Sequence, residues 1–131
     1  MTPLNRYSKT QKETASKERL MVMLFERALK DMRVGGTALE DGRKVEAVNA
    51  LTHASDIVAE LHGSLDRSNA PDLCGHLADV YRFVMLRLTE ASVKCDPRLV
   101  QEAERAFAPL VDAFSTAVGS LAPGQPTGSQ R

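Results

Sequence analysis

Four stretches of this chain space their apolar residues by threes and fours, and each stretch is closed by a short turn cluster. Helices that bury one face against other helices satisfy that pattern. The second stretch carries Val45, Val48, Leu51, Ala54, Val58, Leu61 and Leu65. The third carries Leu73, Leu77, Val80, Val84, Leu88 and Ala91, and the fourth Leu99, Ala103, Ala106, Leu110, Phe114 and Ala117. The first helix is predicted from Lys17 to Leu39, with Ser16 as its N-cap and Gly42 as the residue that ends it. Asp66 to Pro71 reads as a turn in which Ser68 or Asn69 caps the third helix, and Asp96-Pro97 repeats the cap-then-proline signal for the fourth. Short loops make neighbours antiparallel, so the expected fold is an all-α, up-down four-helix bundle.

The ends differ from the middle. Residues 1–16 are polar, with Pro3, Leu4 and Tyr7 as the only anchors, and are expected to form a loose N-terminal arm and cap. The bundle should occupy 17–118. Residues 119–131 are rich in Gly, Pro, Ser and Thr and are expected to be a disordered tail. Pro109 removes one hydrogen bond from the fourth helix and predicts a kink near Arg105 to Ala108.

At 131 residues the chain holds one core and hence one domain. Lys plus Arg and Asp plus Glu number 17 each, so no net field draws a phosphate backbone, and nucleic acid is not the expected partner. The longest apolar run, Leu20 to Phe25, is far short of the roughly twenty residues of a bilayer span, so no membrane insertion is expected. Cys74 and Cys95 follow no export signal, which places the chain in the reducing cytosol with free thiols.

Known chemistry is not announced. A di-iron bundle needs Glu-x-x-His twice, and the motif does not occur here. Cys74-Gly75-His76 offers one two-ligand spacing without a second pair, no Gly-rich phosphate loop is present, and a Cys/His nucleophile pair would lack an orienting group. No catalysis, metal or cofactor is expected.

Two features exceed what a bundle requires. Gly35-Gly36 lies inside the first helix, where each glycine costs about 1 kcal/mol relative to Ala. It marks either the close approach of a neighbouring helix or a flexible point that admits a guest. Leu20-Met21-Val22-Met23-Leu24-Phe25 is apolar all round the helix, and Phe83-Val84-Met85-Leu86 beside Tyr81 is similar. Such excess serves a thick core, a homodimer seam or a guest, and Met suits an adaptable surface.

Taken in order, these residues resemble the flagellar secretion chaperone FliS family over roughly Tyr7 to Val118. The likeness runs through Tyr7, Glu13-Thr14-Ala15-Ser16, Glu18, Leu20, Met23-Leu24-Phe25 and Ala28-Leu29. It continues through Ala54, Ile57, Glu60-Leu61 and Ser64-Leu65-Asp66, then Tyr81-Arg82-Phe83, Arg87 to Ala91, Lys94 and Asp112-Ala113-Phe114. Lys17 stands where the family usually has Pro, and Phe114 where it often has Trp.

The resemblance implies a cytoplasmic export chaperone, not an enzyme, that binds the disordered C-terminal segment of flagellin. It would prevent premature polymerisation and aid delivery to the flagellar type III export gate. An export-gate component and other flagellar regulators are further implied partners. The residues expected to touch the guest or the arm are Tyr7, Leu20, Met23, Leu24, Tyr81, Met85 and Leu88, with the Tyr7 arm folding over the guest groove. The alternative is a homodimeric helical adaptor without a flagellin guest, for which a weak homodimer would be the sign.

Overall fold

The computed structural model describes the backbone of residues 3–120 and the side chains of residues 17–120. Of the tail expected over 119–131, Gly119 closes the fourth helix, and residues 121–131 lie outside the described residues. Four helices form: α1 (Pro3–Glu40), α2 (Lys44–Gly63), α3 (Pro71–Lys94) and α4 (Pro97–Gly119). The contacts α1–α2, α2–α3, α3–α4 and α4–α1 close them into a square. Neighbours are antiparallel. Along α1, Asp31 meets His53 while Gly35 faces Leu51, and Phe25 stacks on Phe107 and Phe114 while Gly36 faces Val100. The all-α bundle expected from periodicity is the fold observed.

The start of α1 departs from expectation. The helix begins at Pro3 and runs through Ser16, so Ser16 is not an N-cap and 3–16 is helical in place of a loose arm. Between Pro3 and Gly35 the segment contains neither Gly nor Pro, and Lys, Gln, Glu, Arg, Met and Ala carry good helix propensity. A helix of 38 residues spans about 57 Å at 1.5 Å per residue, against about 35 Å for the 23 of α4. With Gly36 level with Val100, the first four turns of α1 extend past the last described turn of α4.

The turns are built as local chemistry requires. Gly42 adopts φ +76, and Arg43 N–H donates to the Ala38 carbonyl at 2.8 Å while Gly42 N–H donates to Leu39 at 3.2 Å. This pair of bonds is a Schellman closure, and it needs the left-handed residue that glycine supplies without strain. Asp96 caps α4, its carboxylate accepting from Arg98 N–H at 3.0 Å with Pro97 in the first turn. The α3 cap differs: Ala70, not Ser68 or Asn69, occupies the position, in a left-handed conformation with no side-chain bond. Ser68 is engaged instead by Asp66, whose carboxylate accepts its backbone N–H at 3.1 Å. α4 continues through Pro109, and both Pro109 and Arg105 are exposed. Water can reach the carbonyl that the ring deprives of a partner.

The core is a column of Phe25, Met32, Leu51, Val58, Val84, Leu88, Val100 and Phe107. The apolar faces of α3 and α4 are turned slightly from the expected stripes. α3 buries Cys74, Ala78 and Tyr81 ahead of Val84, leaving Leu73 exposed, and α4 buries Val100, Phe107 and Val111 in preference to Leu99, Ala106 and Leu110. Among the described residues one charged side chain goes in: Asp31, bonded to Arg27 Nε at 3.1 Å and to His53 Nδ1 of α2.

Gly35 and Gly36 are packing residues. A Cβ on Gly35 would lie 2.4 Å from Leu51 Cδ2, and one on Gly36 would lie 3.3 Å from Val100 Cγ1. Gly35→Ala should therefore cost about 1–3 kcal/mol, the scale of an overpacked core, despite the gain in helix propensity. At Gly36 the Val100 methyl has to move by only a few tenths of an ångström, which the gain in helix propensity offsets, so Gly36→Ala should be close to neutral. Urea unfolding of the two variants separates these outcomes; equal changes would contradict the geometry.

At the α1–α4 seam Arg33 Nε lies 3.8 Å from Glu104. Burial raises the Glu104 carboxyl above its ordinary value; Arg33 pulls it back and the Glu40 carboxylate raises it further. A carboxyl whose folded value lies above its unfolded value holds its proton more tightly in the fold. Its ionisation subtracts stability as pH rises from the unfolded value through the folded one, and subtracts none below both. Glu104→Gln should raise the melting temperature at about pH 7 and leave it unchanged near pH 3. Melts at the two pH values check this, and an equal shift at both would contradict it.

Candidate partner-binding surface

The all-apolar run of α1 divides between core and surface. Phe25 is 1% exposed and locked between the rings of Phe107, at 5.6 Å, and Phe114, at 4.7 Å. That anchor fixes the rotation of the helix, so Leu20 and Met23 point outward at 54% and 62% exposure. Leu24 is half-buried beside them, packed against the core. Leu20, Met23 and Leu24 thus form one apolar patch, one turn and more of exposed side chain that this bundle does not cover.

α3 is arranged otherwise. Tyr81 and Leu88, expected to touch guest or arm, are 2% and 1% exposed and belong to the core. The cause is the turn of the α3 face: with Cys74 and Ala78 buried, positions 81, 84 and 88 follow on the same inward stripe. Met85 is half-buried against the core. α1 and α3 stand at diagonal corners of the square, so the expected α1 and α3 residues do not form one surface. Tyr7 lies outside the described side chains.

Burial foremost, with a smaller contribution from neighbouring Cys74, pushes the Tyr81 phenol up to about 12, so it stays neutral in the physiological range. The His62 ring meets it edge-on at 6.3 Å. Cys74 donates its thiol to the Asp66 carbonyl at 3.2 Å, pinning the turn before α3.

Sequence reasoning passed over Leu86, which is 57% exposed, in favour of its neighbour Met85. Phe83 sits at the margin with the Arg87 guanidinium 4.9 Å from its ring centre. Arg87 also pairs with Glu102 of α4 at 2.9 Å and with Glu90. The signal for Leu86 was present, since residue 86 is an odd step from the 81-84-88 stripe. Val45, expected on the apolar stripe of α2, is instead 76% exposed in that helix's first turn, and Val93 is 75% exposed near the end of α3.

Among the described residues no cluster of three or more His, Cys, Asp or Glu side chains could hold a metal ion, and no helix is long and apolar enough to cross a membrane. Cys74 and Cys95 are free thiols. What the surface offers is apolar contact.

Comparison with known proteins agrees in kind. The family profile described as Flagellar protein FliS matches residues 1–120. The flagellar secretion chaperone FliS of Bacillus subtilis is 27% identical over 90% of this chain and 87% of its own length. Those of Salmonella typhimurium and Escherichia coli are each 26% identical over 77% of this chain, covering 76% and 75% of their own lengths. With a profile match spanning all four helices of the bundle, the chain belongs to the FliS family of flagellar secretion chaperones.

Proposed function

We propose that this protein is a cytosolic export chaperone that binds the C-terminal segment of flagellin, keeps it from polymerising prematurely and aids its delivery to the flagellar type III export gate. The observation that carries the reading is the exposed Leu20 and Met23 patch beside half-buried Leu24 on α1. A segment that is disordered alone can fold onto apolar side chains of this kind, and the entropy of ordering it keeps the complex reversible. Membership of a chaperone family, whose named relatives are secretion chaperones, supports the same reading. Leu86, beside half-buried Met85, offers a second apolar face on α3, separate from the α1 patch. The Tyr7 segment continues α1 beyond Leu20 as one helix, so it would cover the patch only by leaving that helix. An export-gate component and other flagellar regulators are the further partners this reading implies.

The test is a titration of the whole chain with a peptide from the C-terminal end of the same organism's flagellin, following peptide helicity and complex mass. Saturable binding at micromolar concentration with a gain of helicity supports the proposal. A molar mass that doubles with chain concentration, without peptide uptake, would replace it with the homodimeric adaptor.

A further inference from the structure

A cleft of about 240 Å³ opens between α1 and α4 at the end of the bundle that carries the α1–α2 turn, lined by Arg33, Gly36, Thr37, Glu40, Pro97, Val100, Gln101 and Glu104. Gly36 is some 20 Å along α1 from Met23 at 1.5 Å per residue, so the cleft is separate from the apolar patch. Its wall is apolar, from Pro97, Val100 and the bare backbone of Gly36. Its polar groups besides Arg33 all offer an accepting oxygen: the carboxylates of Glu40 and Glu104, the hydroxyl of Thr37 and the amide carbonyl of Gln101, the last two able to donate as well.

The charges in the cleft do not balance. Glu104 has one cationic neighbour, Arg33, at a loose 3.8 Å, and the Arg33 side chain is 62% exposed. Glu40 has no ion-pair partner among the described residues. Of the cations around the α1–α2 turn and the start of α4, Arg43 is held by Asp41 and Glu46 and Arg98 by Asp96, while Lys44 does not line the cleft and pairs with neither of its carboxylates. Two carboxylates against one guanidinium leave a cleft that is short of one positive charge.

We propose that this cleft receives an arginine side chain of a polypeptide partner. A guanidinium presents five N–H donors in one plane and can engage several acceptors at once, while its methylene stem lies along the wall of Pro97, Val100 and Gly36. A lysine carries the charge on a single compact head and uses fewer of the acceptors. A divalent cation is disfavoured by the Arg33 guanidinium and by the small number of carboxylates. The raised Glu104 carboxyl is consistent with the same missing charge, because Glu40 adds to the effect of burial.

The test uses the isotopically labelled whole chain and the blocked tripeptide Ala-Arg-Ala, with Ala-Lys-Ala and Ala-Gln-Ala as comparisons, read by amide chemical shifts. The expected result is saturable shifts at Gly36, Thr37, Gln101 and Glu104 with the arginine peptide, weaker binding of the lysine peptide and none of the glutamine peptide. Glu40→Gln and Glu104→Gln should each weaken the arginine peptide by up to about fivefold, the scale of a partly screened ion pair, and added salt should weaken it too. Circular dichroism confirms that both variants stay folded. No shift at these amides at tens of millimolar peptide, or equal binding by wild type and the Glu40→Gln/Glu104→Gln variant, would overturn the proposal. The tripeptides contain no flagellin sequence, so this outcome is independent of the guest titration.

Discussion

Phe25→Ala is expected to lose about 3–5 kcal/mol of stability, the range for a buried phenylalanine truncated to alanine. The ring is 1% exposed and stacks on two others, Phe107 and Phe114, so truncation removes its own buried surface and both aromatic contacts. A domain of this size has about 5–15 kcal/mol in hand, so the change takes a large fraction of the whole. Urea unfolding should show a much lower midpoint with an unchanged slope. Phe114→Ala should cost less, because Phe114 is only half-buried, and the Phe25→Ala/Phe114→Ala double variant should fall short of the sum of the two, since the rings touch. A loss below about 1 kcal/mol for Phe25→Ala would mean that this aromatic stack does not organise the bundle.

The same stack explains what could be read in advance. Helix number, order and class followed from apolar period and turn residues, because those are local properties: Gly42 closing α1 and Asp96-Pro97 opening α4 act within a few residues of themselves. The rotation of each helix is not local. α3 turns Tyr81 inward together with Cys74 and Ala78, a small thiol and a methyl, which the spacing of its large side chains from Leu73 to Leu77 does not announce; Leu88 lay on the expected stripe with Val84 and Ala91. The Ala70 cap was missed for a related reason: Ser68 has the right chemistry but is occupied by Asp66. Gly35 was ambiguous in sequence, and its meaning rests wholly on Leu51, a residue of another helix.

That separation of core from surface sets the largest expected functional effect. Leu20→Gln/Met23→Gln should weaken capture of the flagellin C-terminal peptide by about a hundredfold or more, because fully burying each such side chain contributes about 1.5–3 kcal/mol. Both side chains are more than half exposed in the free protein, and glutamine is as good a helix former as either, so the melting point should hardly move. Stability and binding are thereby uncoupled, in contrast to Phe25→Ala, where lost binding would report only lost fold. Val45→Gln is the control. It removes an apolar side chain that is 76% exposed, at the opposite end of the bundle, and should leave affinity unchanged. Isothermal titration of the three proteins against the same peptide decides the matter. Equal affinities for wild type and the Leu20→Gln/Met23→Gln variant would remove α1 from the guest site and shift attention to the exposed Leu86 face of α3. A fall in affinity for Val45→Gln as large as that for the double variant would show that the loss reflects general surface apolarity and no defined patch.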